Sequence, residues 1–130
     1  MVEKAANLQV EKDPEEEIGV VQGLIPGSKN EWFVSRALDK LGIDYQFQVP
    51  INGGRGVRGG QVIDFVAYAP FPIPIFVQGE YWHNIVSETE DILKQRVAQE
   101  IYKRKPILLM GEETDSKDKA YTAVVQKLGL

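Results

Sequence analysis

The sequence predicts an α/β fold: a mixed central sheet of about four strands flanked by helices, in the order helix, three strands, helix, strand, helix (αβββαβα). Three observations support this prediction. A chain of 130 residues can build one hydrophobic core but not two ordinary domains. Apolar residues recur at helical spacing in three segments. Four short apolar runs between these segments have the alternation or the β-branched composition of strands.

The first helix is expected directly after Pro26 and Gly27. Ser28 suits the N-cap position, and Glu31 three residues later predicts a capping box, in which each side chain bonds the other residue's backbone N–H. The helix would bury one apolar stripe, formed by Phe33, Val34, Ala37, Leu38 and Leu41.

Four strands are expected, over residues 43–49, 61–69, 73–78 and 106–110. The first alternates apolar and polar residues, which is typical of a half-buried strand, and the last is a short continuous apolar run, which is typical of a buried one.

Two further helices complete the predicted domain. One would begin at Ser87 with Glu90 as its capping-box acid and end near Tyr102, and the other would end at Gly129. The first of these two helices runs through four apolar residues at helical spacing: Ile92, Leu93, Val97 and Ile101.

The composition excludes several classes of protein. The chain is 43% hydrophobic and 26% charged, and no apolar run approaches the roughly 20 residues of a membrane span. Its first residues lack the basic and apolar stretches of a secretory signal, so we expect a soluble, cytoplasmic protein. Because there is no cysteine and one histidine, a metal site must use oxygen ligands or the imidazole of His83.

The charge of the chain is unevenly distributed. Residues 1–17 hold six acids and two bases, which accounts for the whole net charge of −4, and we expect them to form a mobile acidic arm ahead of one domain over residues 18–130. That domain is neutral, and it can bind nucleic acid if its bases are grouped. Arg55 and Arg58, in a glycine-rich loop, are candidates for phosphate contacts, as is Lys94.

Asp64 is an acid within the second strand, where its neighbours are apolar. Alternation would place Ile63, Phe65 and Ala67 on one face and Asp64 on the other. An unpaired carboxylate there would lose several kcal/mol of hydration or take up a proton, so it needs a partner. A structural salt bridge or hydrogen bond is one possible answer, and a functional site is the other.

The hairpin between the second and third strands favours a functional site as the reason for an acid at position 64. Its register is expected to bring Asp64 opposite position 77, 78 or 79, close to Gln78 and within reach of Glu80. Two acids brought together repel each other, and a hard cation such as Mg²⁺ would resolve the repulsion and activate water against a phosphodiester. Alternatively, Glu80 is an ordinary surface residue.

His83 and two aromatic residues follow the third strand. The unperturbed pKa of a histidine suits proton transfer near neutrality, although a lone histidine is more often structural. Tyr81 and Trp82 either pack in the core or stack on nucleic-acid bases.

The segment Phe76-Val77-Gln78-Gly79-Glu80-Tyr81-Trp82-His83 resembles the F-V-x-G-C-F-W-H motif of very-short-patch-repair endonucleases and of related phage and homing nucleases. These enzymes belong to the PD-(D/E)xK superfamily, whose restriction-endonuclease-like core has the element order predicted above. The resemblance covers most of residues 28–115.

The resemblance implies a role for each matching residue. Asp64 would bind the catalytic metal with the main-chain oxygen near Val77, and Glu31 would match the acid of the first helix. His83 would serve proton transfer, while Tyr81 and Trp82 would touch or enter the base stack.

The chain also departs from the family's pattern. It cannot build the cysteine-ligated zinc site of the repair enzymes, and Asn84 stands where they carry a second histidine. The E-x-K motif reads Gln78-Gly79-Glu80, so the superfamily lysine is missing and His83 or Glu80 must substitute for it.

We therefore expect a DNA endonuclease that depends on Mg²⁺ or Mn²⁺. A homodimer is consistent with this activity, because cutting both strands commonly uses two sites. Asp64 and Glu80 would hold the metal. Two rival classes remain: a catalytically inactive nucleic-acid-binding module of the same fold, and a small-molecule-binding α/β domain with Asp64 on a ligand amine.

Overall fold

The structure, a computed structural model, describes residues 17–51, 61–78 and 85–130, and for residues 85–90 it describes the backbone alone. In chain order its elements are α1 (Lys29–Lys40), β1 (Asp44–Ile51), β2 (Gln61–Tyr68), β3 (Pro72–Val77), α2 (Ile85–Tyr102), β4 (Ile107–Leu109), a short 3₁₀ helix (Gly111–Glu113) and α3 (Lys117–Leu128). This order confirms the predicted α/β class, and the 3₁₀ helix is the one addition to it. Of the predicted N-terminal arm, only Glu17 lies inside the described residues.

The four strands form one mixed sheet in the order β1-β2-β3-β4. β1, β2 and β3 are antiparallel neighbours, whereas β4 pairs with β3 in parallel. A parallel neighbour requires a long crossover connection, and α2 provides it. Of the helices in the described ranges, none is both long and apolar enough to cross a bilayer.

One face of the sheet, here called the α1/α3 face, carries the main hydrophobic core. The stripe predicted for α1 is buried there, together with inward residues of all four strands and of α3. Ser28 caps α1 as expected, and Gly129 ends α3 with a left-handed backbone. The two helices and the sheet together bury Phe33, Val34, Leu38, Phe47, Phe65, Ile75 and Val124.

Among the described residues, the opposite face, here called the α2 face, is covered more thinly. Its buried cluster is small and includes Phe76 and Ala98. Three of the apolar residues at helical spacing in α2, namely Ile92, Leu93 and Ile101, are each more than half exposed. The helix also begins at Ile85, two residues before the expected N-cap Ser87. Helical spacing predicts the helix here but not which side of it packs on the sheet.

The pairing of β1 with β2 is interrupted at Gln48, whose backbone is left-handed with φ of 59°. Within the described strands, the residues on either side of Gln48 pair with Phe65 and Ile63, but Gln48 and Asp64 form no such pair. Phe65 packs on the α1/α3 face and Ile63 packs on the α2 face, so the prediction that both share one face is wrong. A left-handed residue increases the local twist, which accounts for the change of face.

The outer edge of β1 is covered by a side chain. The amide of Gln22 donates to the Tyr45 carbonyl oxygen at 2.6 Å and accepts from the Phe47 N–H at 2.9 Å. These are the backbone groups that an edge strand would otherwise present to solvent.

Candidate functional site

An open pocket lies where the N-terminal end of α1, the middle of β2, the end of β3 and one side of α2 meet. Its volume is about 220 Å³, which is room for several water molecules. The residues that line it are Gly27, Ser28, Glu31, Asp64, Phe76, Val77, Gln78, Asp91, Lys94 and Gln95. The structure thus brings together Glu31, Asp64, Val77, Gln78 and Lys94, all of which the sequence singled out.

Asp64 is held in the pocket by a hydrogen bond from the Val77 N–H to its Oδ2 atom, at 2.7 Å. The structural partner that the sequence suggested for this carboxylate, a hydrogen bond, is therefore present. The pKa of Asp64 is raised to about 7. Burial is the main cause and the charge of Glu31 adds to it, while the Val77 bond and the charge of Lys94 act in the opposite direction. A carboxyl group with this pKa exchanges a proton near neutrality.

The predicted hairpin register is wrong by one to three residues. Tyr68 pairs with Pro72, and the same register continues to Phe65 and Ile75. Continuing it by one more pair puts residue 64 across from residue 76, not from 77, 78 or 79. The turn is shorter than expected, and the Val77 N–H reaches Asp64 diagonally.

Glu31 lies in the first turn of α1, and its backbone N–H donates to Ser28 Oγ at 3.2 Å. The reciprocal half of the predicted capping box is absent from the described contacts. Instead, Glu31 Oε1 accepts from the Gly27 N–H at 3.1 Å and from Gln48 Nε2 at 3.3 Å. Burial raises the pKa of Glu31, against the lowering effect of these two bonds and of Lys94. The carboxylate is therefore directed into the pocket and not only at the helix end.

Lys94 enters the pocket from α2. Its side chain is 25% exposed, its Nζ lies 4.0 Å from Asp91 Oδ1, and it lies 5.5 Å from the ring centroid of Phe76. The sequence named Lys94 only as a phosphate contact. Its charge in fact lowers the pKa of both Asp64 and Glu31. One cation is thus shared by two half-buried acids.

Sequence reasoning missed Asp91, Gln95 and Gln48. Asp91 and Lys94 have the spacing of an ordinary surface ion pair on a helix, so the local pattern gives no sign of a pocket. Gln48 carries no sequence signal either, because a left-handed backbone is expected of Gly, Asn or Asp.

Six predicted site residues lie outside the described residues, so their place relative to the pocket stays a prediction. They are Arg55, Arg58, Glu80, Tyr81, Trp82 and His83.

The donors of the pocket suit a hard divalent cation. Across the described parts of the chain, no three His, Cys, Asp or Glu side chains are grouped closely enough to hold a metal ion by themselves. Mg²⁺, however, is commonly bound through one or two carboxylates with waters and other oxygen ligands. Glu31 and Asp64 provide two carboxylates that repel each other, and Gln78 adds an amide oxygen at the same pocket. The chemistry of this donor set fits the predicted metal.

No protein-family model matches the chain, and neither a curated protein nor a solved structure is significantly similar to it.

Proposed function

We propose that this protein is a metal-dependent DNA endonuclease, built on a restriction-endonuclease-like core, that hydrolyses phosphodiester bonds with Mg²⁺ or Mn²⁺. One observation carries the proposal. Glu31, Asp64, Gln78 and Lys94 come from different segments of the chain and line one open pocket. Two acids and an amide oxygen can hold a divalent ion, and a cation in the same pocket can stabilise the charge that develops on a phosphate during hydrolysis.

Asp64 and Glu31 are proposed to hold the cation, with the Gln78 amide and the main-chain oxygen near Val77 as further donors. The Val77 N–H fixes the Asp64 carboxylate, so little reorganisation is needed when a cation arrives. When bound, a divalent ion supplies charge against the phosphate and lowers the pKa of the attacking water. The raised pKa of Asp64 supports this role, because a nearby cation would favour the ionised form.

Lys94 is proposed to take the part of the lysine that is missing from the E-x-K motif. Its ammonium nitrogen lies 5.5 Å from the Phe76 ring centroid, and the side chain lines the same pocket as the two acids. From there it can orient a phosphate and stabilise the charge that develops on it. Asp91, 4.0 Å away, would keep the ammonium group at this position.

The remaining roles come from the sequence motif. Glu80 would be a third carboxylate at the metal, and His83 would deprotonate or position the water, as the sequence motif suggests. Tyr81, Trp82, Arg55 and Arg58 would contact the DNA. A homodimer would supply the second site that cutting both strands commonly needs.

The test is cleavage of supercoiled plasmid and of a four-way junction in the presence of Mg²⁺ or Mn²⁺. We expect Asp64→Asn, Glu31→Gln and Lys94→Met to slow cleavage at least about 100-fold, which is typical of losing a group that acts on the transition state. Asp118→Asn and Lys119→Met remove the same charges from exposed positions on α3 and should cut at the wild-type rate.

The outcomes separate the proposal from its rivals. Cleavage that persists in Asp64→Asn would refute the assigned site. Metal-independent DNA binding without cutting would favour the inactive module, and absence of DNA binding would favour a small-molecule site. Cleavage by His83→Ala, measured in parallel, tests whether the histidine takes part in the same reaction.

A further inference from the structure

Gln48 has an unusual backbone for its position. It lies within β1, yet its φ is 59°. A residue with a Cβ atom is disfavoured in this region because the side chain approaches its own backbone, and glutamine has no local bond that compensates as asparagine does. Such strain persists only where the surrounding structure enforces it, and it is concentrated at functional sites.

The left-handed backbone determines where the side chain of Gln48 goes. Phe47 packs on the α1/α3 face. In a regular strand the next side chain would point to the opposite face, away from α1. Instead, Gln48 Nε2 donates to Glu31 Oε1 at 3.3 Å, and the Gly27 N–H bonds the same oxygen atom at 3.1 Å.

Gln48 also lies across from Asp64. The two residues fall between the pairs that join β1 to β2, and the pairing is interrupted at this point. The strained residue is therefore next to the strand that carries one acid and is bonded to the side chain of the other. Because Glu31 raises the pKa of Asp64, the two carboxylates sense each other's charge.

We infer that Gln48 is a positioning residue: its left-handed backbone carries the side-chain amide across to α1, where it holds the Glu31 carboxylate in place beside Asp64. The inference rests on the proposed function and deepens it. Gln48 itself need not touch metal or DNA. Its contribution is to limit the freedom of Glu31, which is how a supporting hydrogen bond sharpens a metal site.

The test compares Gln48→Gly with Gln48→Asn. Glycine and asparagine both tolerate the left-handed region, and neither can reach Glu31, because one has no side chain and the other is one methylene shorter. We expect each variant to bind Mn²⁺ about tenfold more weakly in calorimetry, in line with the loss of a supporting ligand contact. The thermal midpoint should stay within about 3 °C of wild type, since relief of strain offsets the lost hydrogen bond.

Lys103→Gly is the matched control. Lys103 is an exposed residue at the end of α2 with a nearly identical φ of 58°. Glycine there should raise the thermal midpoint by about 3 °C and leave Mn²⁺ affinity unchanged. A change confined to stability at Lys103 and to metal affinity at Gln48 supports the positioning role.

Three results would overturn the inference. A wild type that neither binds Mn²⁺ nor cleaves DNA overturns it together with the proposed function. An active wild type, with both Gln48 variants folded and equal to it in Mn²⁺ affinity and cleavage, overturns the inference alone. Failure of both Gln48 variants to fold cooperatively assigns Gln48 a structural role instead.

Discussion

The α1/α3 face and the α2 face of the same sheet differ sharply in how they are packed. Two helices cover the first with a continuous core in which Leu38 is fully buried. Among the described elements a single helix covers the second, where the buried cluster is small and Leu93 is 54% exposed. We therefore expect the α1/α3 face to contribute more to stability, since burial of apolar surface is the dominant favourable term in folding.

The candidate site lies between these two faces. Glu31 comes from the well-packed side and Lys94 from the thinly packed helix. Segments with few buried apolar contacts open more easily than the core does. We therefore expect the side of the pocket that carries Glu31 to be more rigid than the side that carries Lys94.

The largest expected effect comes from comparing one substitution on each face of the sheet. Leu38→Ala should lower the free energy of unfolding by about 3 kcal/mol, through lost burial and the cavity left behind. Leu93→Ala should change it by less than about 0.5 kcal/mol, because the side chain is mostly in water and alanine favours helix. Denaturant unfolding of both variants measures the contrast. Equal losses would show that the α2 face is covered in solution.

Stability should also depend on pH in opposite ways at two acids. Asp64 has a pKa of about 7 in the folded chain, above its ordinary value, so the folded state binds this proton more tightly. Stability from this group is complete at low pH and is lost as the pH rises through about 7. Without divalent ions, Asp64→Asn should match wild type near pH 4 and exceed it by about 2 kcal/mol at pH 8.

Glu113, in the turn before α3, provides the opposite case. Although burial raises the pKa of Glu113, bonds from the Met110 N–H and Lys127 lower it overall. Its stabilisation is present above its ordinary pKa and is lost as the pH falls. Glu113→Gln should therefore be less stable than wild type at neutral pH and approach it in acid. Urea unfolding of each variant and of wild type at several pH values measures both differences in the free energy of unfolding. A difference for Asp64→Asn that does not depend on pH would contradict the raised pKa of Asp64.

A buried polar contact ties the start of α1 to the 3₁₀ helix. Asn30, 2% exposed, donates to the Gly111 carbonyl oxygen at 3.1 Å and to Thr114 Oγ1 at 3.0 Å. Asn30→Ala should cost about 2 kcal/mol, because it leaves buried acceptors without this donor. A double-mutant cycle with Thr114→Val measures the coupling. Additive losses would show that the contact contributes little.

The smallest expected effect compares two helix caps. Ser28 and Ser116 each accept a backbone N–H at 3.2 Å, so replacing either by alanine should cost about 1 kcal/mol. Because only Ser28 borders the pocket, only Ser28→Ala should also weaken Mn²⁺ binding in calorimetry. Equal Mn²⁺ affinity in both variants would place the cation away from the end of α1.

The sequence predicted the elements better than their packing. The cap at Ser28 and the stripe through Leu38 are local signals, and the structure follows both. The spacing of Ile92, Leu93 and Ile101 is equally helical, but periodicity alone does not tell which side of a helix meets the sheet.

The same limit applies to the site. Asp64 could be singled out because an acid inside an apolar strand is locally anomalous, and Glu31 because of the motif it matches. Asp91 and Gln48 could not, since their proximity to the pocket depends on the crossover of α2 and on the local twist of β1. Contacts between segments that are distant in the chain cannot be predicted from a short window of sequence.

The Gln22 amide on β1 has a consequence for self-association. A second chain that tried to extend the sheet alongside residues 45–47 would first have to displace two hydrogen bonds that the chain already makes to itself. Open strand borders are where proteins aggregate or exchange segments, and here that route is blocked by one of the chain's own side chains. If two copies assemble, we expect them to meet through surfaces other than residues 45–47 of β1.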